Sequence, residues 1–343
     1  MCENIDKGDQ FKIQNLKHKT IPQLLSPTVY IQFYLINLAA KDKHSSMKRI
    51  FSLAFALFIL LNTMLAQNGI VVFQTDFGLK DGAVSAMKGV AMQVSPALKL
   101  YDLTHEIPAY NIWEAAYRLE QTARYWPKGT VFVNVVDPGV GSQRKGVVLK
   151  TKTGYFFVGP DNGSWTLIAE SMGVAELREI DEKVNRLPGS GESYTFHGRD
   201  VFAYTAARLA ANKITYQQVG PLLPAKVVTI DYQQAVLENG SIKGNIPILD
   251  VQYGNVWTNI PEKLIKQLNI QHGDMVSVEV YEKDQLKYSG KLPFVTTFAT
   301  VGEQQPLCYL NSLLNFSMAL NMGDFAKKFA VASGPDWKIV LKK

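Results

Sequence analysis

Cysteine is nearly missing from this chain: Cys2 and Cys308 are the only two in 343 residues. Two thiols supply neither a disulfide framework nor a Cys-rich metal cage. Histidine is sparse too, at five residues, and no HxxxH or HxE spacing occurs. The usual ligand spacings of a hydrolytic metal centre are therefore not present. A strong charge of one sign is also lacking in the body of the chain. The formal charge is +6, but residues 1–46 carry six Lys against four acids, and Lys48 and Arg49 follow. About +2 is left for 67–343, which gives no electrostatic case for a nucleic-acid partner. Internal repeats and low-complexity segments are absent as well.

What is present suits a globular chain: 47% hydrophobic and 19% charged residues, enough for about two domains with substantial cores. The front is unusual. "MKRIFSLAFALFILLNTMLAQ", from Met47, has two basic residues, an apolar stretch from Ile50 to Leu61 and a small-residue end before Gln67. That is the layout of a secretory signal peptide, and the stretch is short for a membrane-spanning helix, which needs about 20 apolar residues. The expectation is that Met47 is the true start, that 1–46 is a spurious upstream extension, and that 47–66 directs export to the periplasm or beyond. An uncleaved membrane anchor is the alternative.

From Ile70 short apolar runs alternate with helical periodicity. "GIVVFQTD", "LKLYDLT" and "TVFVNVVD" read as strands; "DGAVSAMKGVAMQVSP" and "NIWEAAYRLEQTARYWP" read as helices. "GVVLKTKTGYFFVGP" reads as a hairpin turned at Thr153-Gly154, and "SWTLIAESMG" and "RDVFAYTAARLAANK" as further helices. This predicts an α/β domain over 69–230 with a largely parallel sheet and helices on both faces. From about residue 236 to 343 the segments become Gly-punctuated and β-like, with one short helix at "PEKLIKQL". They predict a smaller antiparallel domain, a β-barrel or sandwich.

In open α/β sheets ligands bind beyond the carboxyl ends of the strands. Three strands end in polar clusters there: Asp76, Thr104-His105-Glu106 and Asp137. "TDFG" and "HGRD" look like kinase loops, but their order is reversed and neither a Gly-rich phosphate loop nor a strand lysine accompanies them. "GVGSQRKG" lacks the end of a phosphate loop, and "TDFGLKDG" has Asp where a dinucleotide-binding turn needs glycine. The remaining polar set is Asp76, Asp81, Asp137, Arg144, Asp161, Asn162, His197, Arg199 and Asp200. Each has a structural reading: Asp81 as a helix cap, Asp161-Asn162-Gly163 as a turn, Arg199 and Asp200 as a pair at a helix start.

Together, "TDFG…DG", "VVDPGVGSQR", "GPDNG", "FHGRDVFA", "DVQYGNVWTNI" and "YLNS" resemble, in order and across both domains, the S-adenosylmethionine hydroxide adenosyltransferases. The fluorinases and chlorinases belong to the same superfamily. The resemblance implies an α/β domain joined to a β-barrel, and a homotrimer with sites between the N-terminal domain of one subunit and the C-terminal domain of its neighbour. It implies displacement at C5′ of the ribose of S-adenosylmethionine by water, giving adenosine and L-methionine. The sulfonium is already a good leaving group, so the reaction calls for no metal and no cofactor; S-adenosylmethionine is the substrate itself. Water must be aligned and relieved of a proton, and the family's Asp-Arg-His triad maps onto Asp137, Arg144 and His197.

Substrate contacts carry over as well. Asp76 matches the acid on the ribose hydroxyls, Asp81 and Asp250 the acids facing the methionine ammonium, and Tyr110 an aromatic neighbour of the ligand. Asn255 matches the residue on the adenine edge, with Tyr253 as an apolar wall, and Ser312 matches a methionine carboxylate contact. Leu313 and Ala83 depart from the fluorinating members, which have Arg and Ser. A halide-using adenosyltransferase is one alternative, though halide users replace the Asp and His of the triad. An exported nucleoside-binding protein without turnover is the other.

Overall fold

The computed structural model describes residues 67–343. The readings of 1–46 as an upstream extension and of 47–66 as a signal or anchor lie outside the described residues. The first sheet contains β1 (Ile70–Thr75), β2 (Lys99–Thr104), β3 (Val131–Val135), β4 (Gly146–Thr151), β5 (Phe156–Pro160), β6 (Val174–Glu179) and β7 (Leu222–Leu223). Their spatial order is β2-β1-β3-β5-β4-β6-β7. The four strands from β2 to β5 in that order run parallel. From β4 onward the pairing is antiparallel, because the Thr153-Gly154 turn sends the chain straight back from β4 into β5. Gly154 supplies the positive φ that this turn needs, +94°.

Every residue of β3 and β5 is buried, as expected of strands covered on both faces. The two faces are read directly from the two-residue period of the strand. Val71, Phe73, Val131, Val133 and Val135 face one core, while Val72 and Phe132 face another. The first core is closed by α1 (Ala83–Val94) and by a π-helical segment, Gly198–Ala203, that runs into a helix at Tyr204–Ala210. On the other side lie α2 (Ile112–Ala123) and α3 (Thr166–Met172). There Phe132 stacks on Phe157 with ring centroids 4.9 Å apart. Two more helices complete this half: α4 (Glu182–Asn185) and α5, the Tyr204–Ala210 helix already described.

Helix α2 shows how local sequence fixes an element's start. The Asn111 side chain accepts the Glu114 N–H at 2.9 Å, an N-cap bond that satisfies one orphan donor. Trp113, Ala116, Leu119 and Ala123 then place a buried stripe at helical spacing.

The C-terminal half carries β8 (Val236–Glu238), β9 (Ser241–Asn245), β10 (Ile248–Leu249), β11 (Val256–Pro261), β12 (Met275–Glu282), β13 (Gln285–Pro293), β14 (Pro306–Leu310), β15 (Asn315–Leu320) and β16 (Trp337–Lys342). They form two antiparallel sheets, ordered β10-β11-β15-β14 and β13-β12-β16-β9-β8, with short helices α6 (Glu262–Gln267) and α7 (Phe325–Phe329). Alternate residues Val276, Val278 and Val280 of β12, and Ile339 and Leu341 of β16, meet Val256, Phe316 and Met318 of the other sheet in one core. A bridge between Phe294 and Cys308 links the sheet edges. Cys308 is fully enclosed, and burial pushes its thiol far above the ordinary range, which makes it an inert core residue. Among the described residues no helix is long and apolar enough to cross a membrane.

Candidate active site

Strands β1 and β3 are parallel neighbours, with Thr75 opposite Val135. Their carboxyl ends therefore deliver Asp76 and Asp137 to the same edge of the sheet, where such sheets bind ligands. Asp76 follows β1 at once. Its Oδ2 accepts the backbone N–H of Tyr110 at 2.9 Å, which ties the β1 turn to the loop entering α2. Tyr110 sits at φ +68°, an uncommon position for an aromatic residue, with its side chain exposed.

The segment from Asp137 to Arg144 is a turn with φ +77° at Gly141, and it folds back so that the guanidinium meets the carboxylate. Arg144 Nε donates to Asp137 Oδ1 at 2.8 Å, and Nη2 donates to Oδ2. This two-pronged pairing fixes the plane of both groups. The side chains are 15% and 5% exposed, so the pair is largely screened from water but still open at one edge. The Arg144 guanidinium also lies over the Phe202 ring, 5.3 Å from its centroid.

His197 arrives from the other end of the domain, immediately before the π-helical segment; such segments occur often at functional sites. Its ring is buried, and among the described residues its Nδ1 has no hydrogen-bond partner. Its Nε2 is 3.8 Å from Glu182 Oε1. Burial holds its pKa below the ordinary 6.5; Arg144 and Arg186 push the same way, while Glu182 and Asp137 oppose. The ring is thus neutral at neutral pH, with proton-accepting capacity unused. Gly198 is closely packed: a Cβ there would come within 3.2 Å of the Val135 side chain and 3.3 Å of the Phe77 ring, so those side chains would have to yield slightly to admit one.

Asp76, Phe77, Tyr110, Asp137 and His197 line one cleft of about 250 Å³, with Arg144 clamped behind Asp137. The other expected contacts are not brought here. Asp250, Tyr253 and Asn255 belong to the C-terminal half, where Tyr253 and Asn255 border a separate, more apolar cleft of about 540 Å³ with Phe298, Met322 and Asp324. Asn255 is 6% exposed, and no hydrogen bond engages its side chain among the described residues. Asp250 Oδ1 accepts the N–H groups of Gln252 and Tyr253, so it shapes the turn that presents them. Ser312 is exposed in the β14–β15 turn and lines neither cleft. Asp81 Oδ1 accepts the Ala83 N–H at 2.8 Å. The cap position of α1 is Gly82, however, and carries no side-chain cap bond, so Asp81 shapes the turn before the helix and is not the N-cap expected from the sequence. Arg199 and Asp200 pair with each other at 2.6 Å, with Asp200 fully buried. Among the described residues no three His, Cys, Asp or Glu side chains gather closely enough to cage a metal ion.

Sequence reasoning missed the apolar half of the first cleft. Phe77 and Phe196 meet edge to face at 5.9 Å, and Val140 and Thr195 complete the wall. Phe77 and Phe196 adjoin Asp76 and His197 in sequence, so adjacency was a usable signal. Glu182, fifteen positions before His197, carried none.

Fold and site together define a class: a parallel α/β domain with an Asp-Arg pair and a buried histidine at its strand ends, joined to an antiparallel β domain. The chain belongs to the SAM hydroxide adenosyltransferase family, whose N-terminal domain matches residues 71–220 and whose C-terminal domain matches 244–338. It is similar to the (R)-S-adenosyl-L-methionine hydrolase of Methanocaldococcus jannaschii, 33% identical over 71% of this chain and 85% of the relative. The fluorinase of Actinopolyspora mzabensis is 26% identical over 77% of this chain and 95% of its own. Among solved structures, an uncharacterized conserved protein from Thermotoga maritima superposes with a TM-score of 0.72 and 35% identity. It covers 80% of this chain and all of its own.

Proposed function

We propose that the protein hydrolyses S-adenosylmethionine to adenosine and L-methionine, as the hydrolases it resembles do by name. The observation that carries this reading is the Asp137–Arg144 fork beside a buried, neutral His197 with an unpartnered Nδ1. A water oxygen attacks C5′ of the ribose in line with the sulfonium. The new C–O bond forms as the C–S bond breaks, and its electron pair leaves with the sulfur of methionine. One water proton stays on the new 5′-hydroxyl and the other passes to a base. His197 Nδ1 is that base, and Arg144, oriented by Asp137, stabilises the developing negative charge on the water. Asp76 accepts the ribose hydroxyls, and Tyr110 and Phe77 flank the sugar.

The C-terminal cleft supplies the adenine end through Asn255 and Tyr253. Since the two clefts are separate in one chain, a homotrimer that juxtaposes one copy's N-terminal cleft with the next copy's C-terminal cleft completes the site. The exposure of Tyr110, Val251, Tyr253 and Met322, at 72%, 83%, 65% and 77%, supports such a covered surface. Export directed by 47–66 is part of the same reading. N-terminal sequencing of protein recovered outside the cytoplasm checks it, a mature start near Gln67 being expected.

The fluorinase relatives favour a second reading, halide in place of water, but a halide ion has no proton to give and leaves His197 without a task. Incubation of purified protein with the (R) form of S-adenosyl-L-methionine, with and without chloride or fluoride, decides. Adenosine in both arms is expected; a 5′-halogenated nucleoside, or no product at all, refutes hydrolysis.

A further inference from the structure

The hydrolytic site leaves one buried histidine unused. His105, 3% exposed, lies just past β2 and bonds on both ring nitrogens. Its Nε2 is 2.9 Å from Asp102 Oδ1, and its Nδ1 is 2.8 Å from the Thr75 hydroxyl. Asp102 is held in turn by Lys88 at 2.6 Å. A carboxylate only accepts, so Nε2 carries the hydrogen, and in that tautomer Nδ1 accepts from the Thr75 hydroxyl. The hydroxyl oxygen is then free to accept the Phe77 N–H, 3.2 Å away. The carbonyl of the same His105 accepts the Gly78 N–H at 2.7 Å.

The two residues that follow Asp76 are therefore tied to His105, Phe77 through the Thr75 hydroxyl and Gly78 directly. The other side of Asp76 is held by Tyr110, which lies on the loop that His105 begins. Neither Thr75, 0% exposed, nor His105 can touch a ligand. We propose that the Asp102–His105–Thr75 chain is a positioning device that sets the Asp76 carboxylate and the Phe77 ring against the ribose. This rests on the reading of Asp76 as the ribose contact.

Adenosine binding by calorimetry and steady-state hydrolysis test it together. Thr75→Val keeps the shape and removes the hydroxyl. It is expected to weaken adenosine and raise KM by about tenfold, with kcat changed less than about threefold, and Thr75→Ser is expected to restore binding. In an Asp76→Ala background Thr75→Val is expected to add nothing, because the two act through one carboxylate. Overturning results are a folded Thr75→Val protein that binds adenosine within about twofold of the unaltered one, or an undiminished further loss in the Asp76→Ala background. If Thr75→Val does not fold, the partly exposed Asp102 decides: Asp102→Ala weakening adenosine by about threefold or more supports the device, and a smaller change overturns it. An unaltered protein that binds no adenosine refutes the ribose reading itself, whereas binding indifferent to Thr75 refutes only the positioning role.

Discussion

In the proposed reaction His197 is the base, and burial is the main cause that lowers its pKa. Because its folded pKa lies below 6.5, the acidic limb of a kcat/KM profile for hydrolysis is expected below pH 6.5 and is expected to vanish in His197→Ala. A limb centred above 6.5 speaks against this base. The same shift acts on stability. The unfolded chain takes up the proton first, so the contribution of the neutral ring is complete above 6.5 and is lost as pH falls through the folded value. The direct test of the triad is single-turnover hydrolysis. His197→Ala and Asp137→Asn are expected to slow turnover by about 10²- to 10⁴-fold while adenosine binding persists. Undiminished turnover in both removes these residues from the mechanism. Among the residues assigned from the family's motifs, Asp137, Arg144, His197, Asp76 and Tyr110 share one locality. Asp81 and Asp250 instead have backbone donors to satisfy. Spacing along the chain distinguishes neither case, because both kinds of aspartate precede a glycine-containing turn.

Elements explain why that locality exists. The period-two split of β1 and β3 between two cores was readable in "IVVF" and "VFVNV", since continuous apolar runs mark strands buried on both sides. Replacing Phe132, buried and stacked on Phe157, by Ala is expected to cost about 3–5 kcal/mol in urea unfolding. The Asn111 cap is smaller in effect: Asn111→Ala is expected to cost about 1 kcal/mol. It adjoins Tyr110, so a parallel rise in the KM for S-adenosylmethionine is the check that the α2 entry loop also serves the site. Less legible were the antiparallel wing of the first sheet and the π-helical start after His197. Strand direction depends on which edge a hairpin docks against, and the π-helical start sits where Gly198 packs close to Val135 and Phe77, contacts between residues far apart in the sequence.

For the whole molecule, the two clefts belong to different halves of the chain, and a homotrimer joins them in the proposed function. Mixing a His197→Ala protein with an Asn255→Ala protein under exchange conditions is expected to regain hydrolysis, since some interfaces then pair an intact N-terminal cleft with an intact C-terminal one. A monomer by light scattering, or mixing without recovery, counts against the shared site. The sequence alone determined the main strands and longer helices of the first half, the order of the two halves and the chemistry-bearing motifs, because turn residues and apolar periodicity act over a few positions. The short helices at Glu182–Asn185 and Phe325–Phe329 were not expected from it. Only the tertiary structure decided that Arg144 clamps Asp137, that His197 stands beside them with an unpartnered nitrogen, and that His105 ties down the Asp76 turn. Those arrangements join residues dozens of positions apart, or set the angle of a turn, and such long-range choices follow from which faces bury together rather than from any local preference.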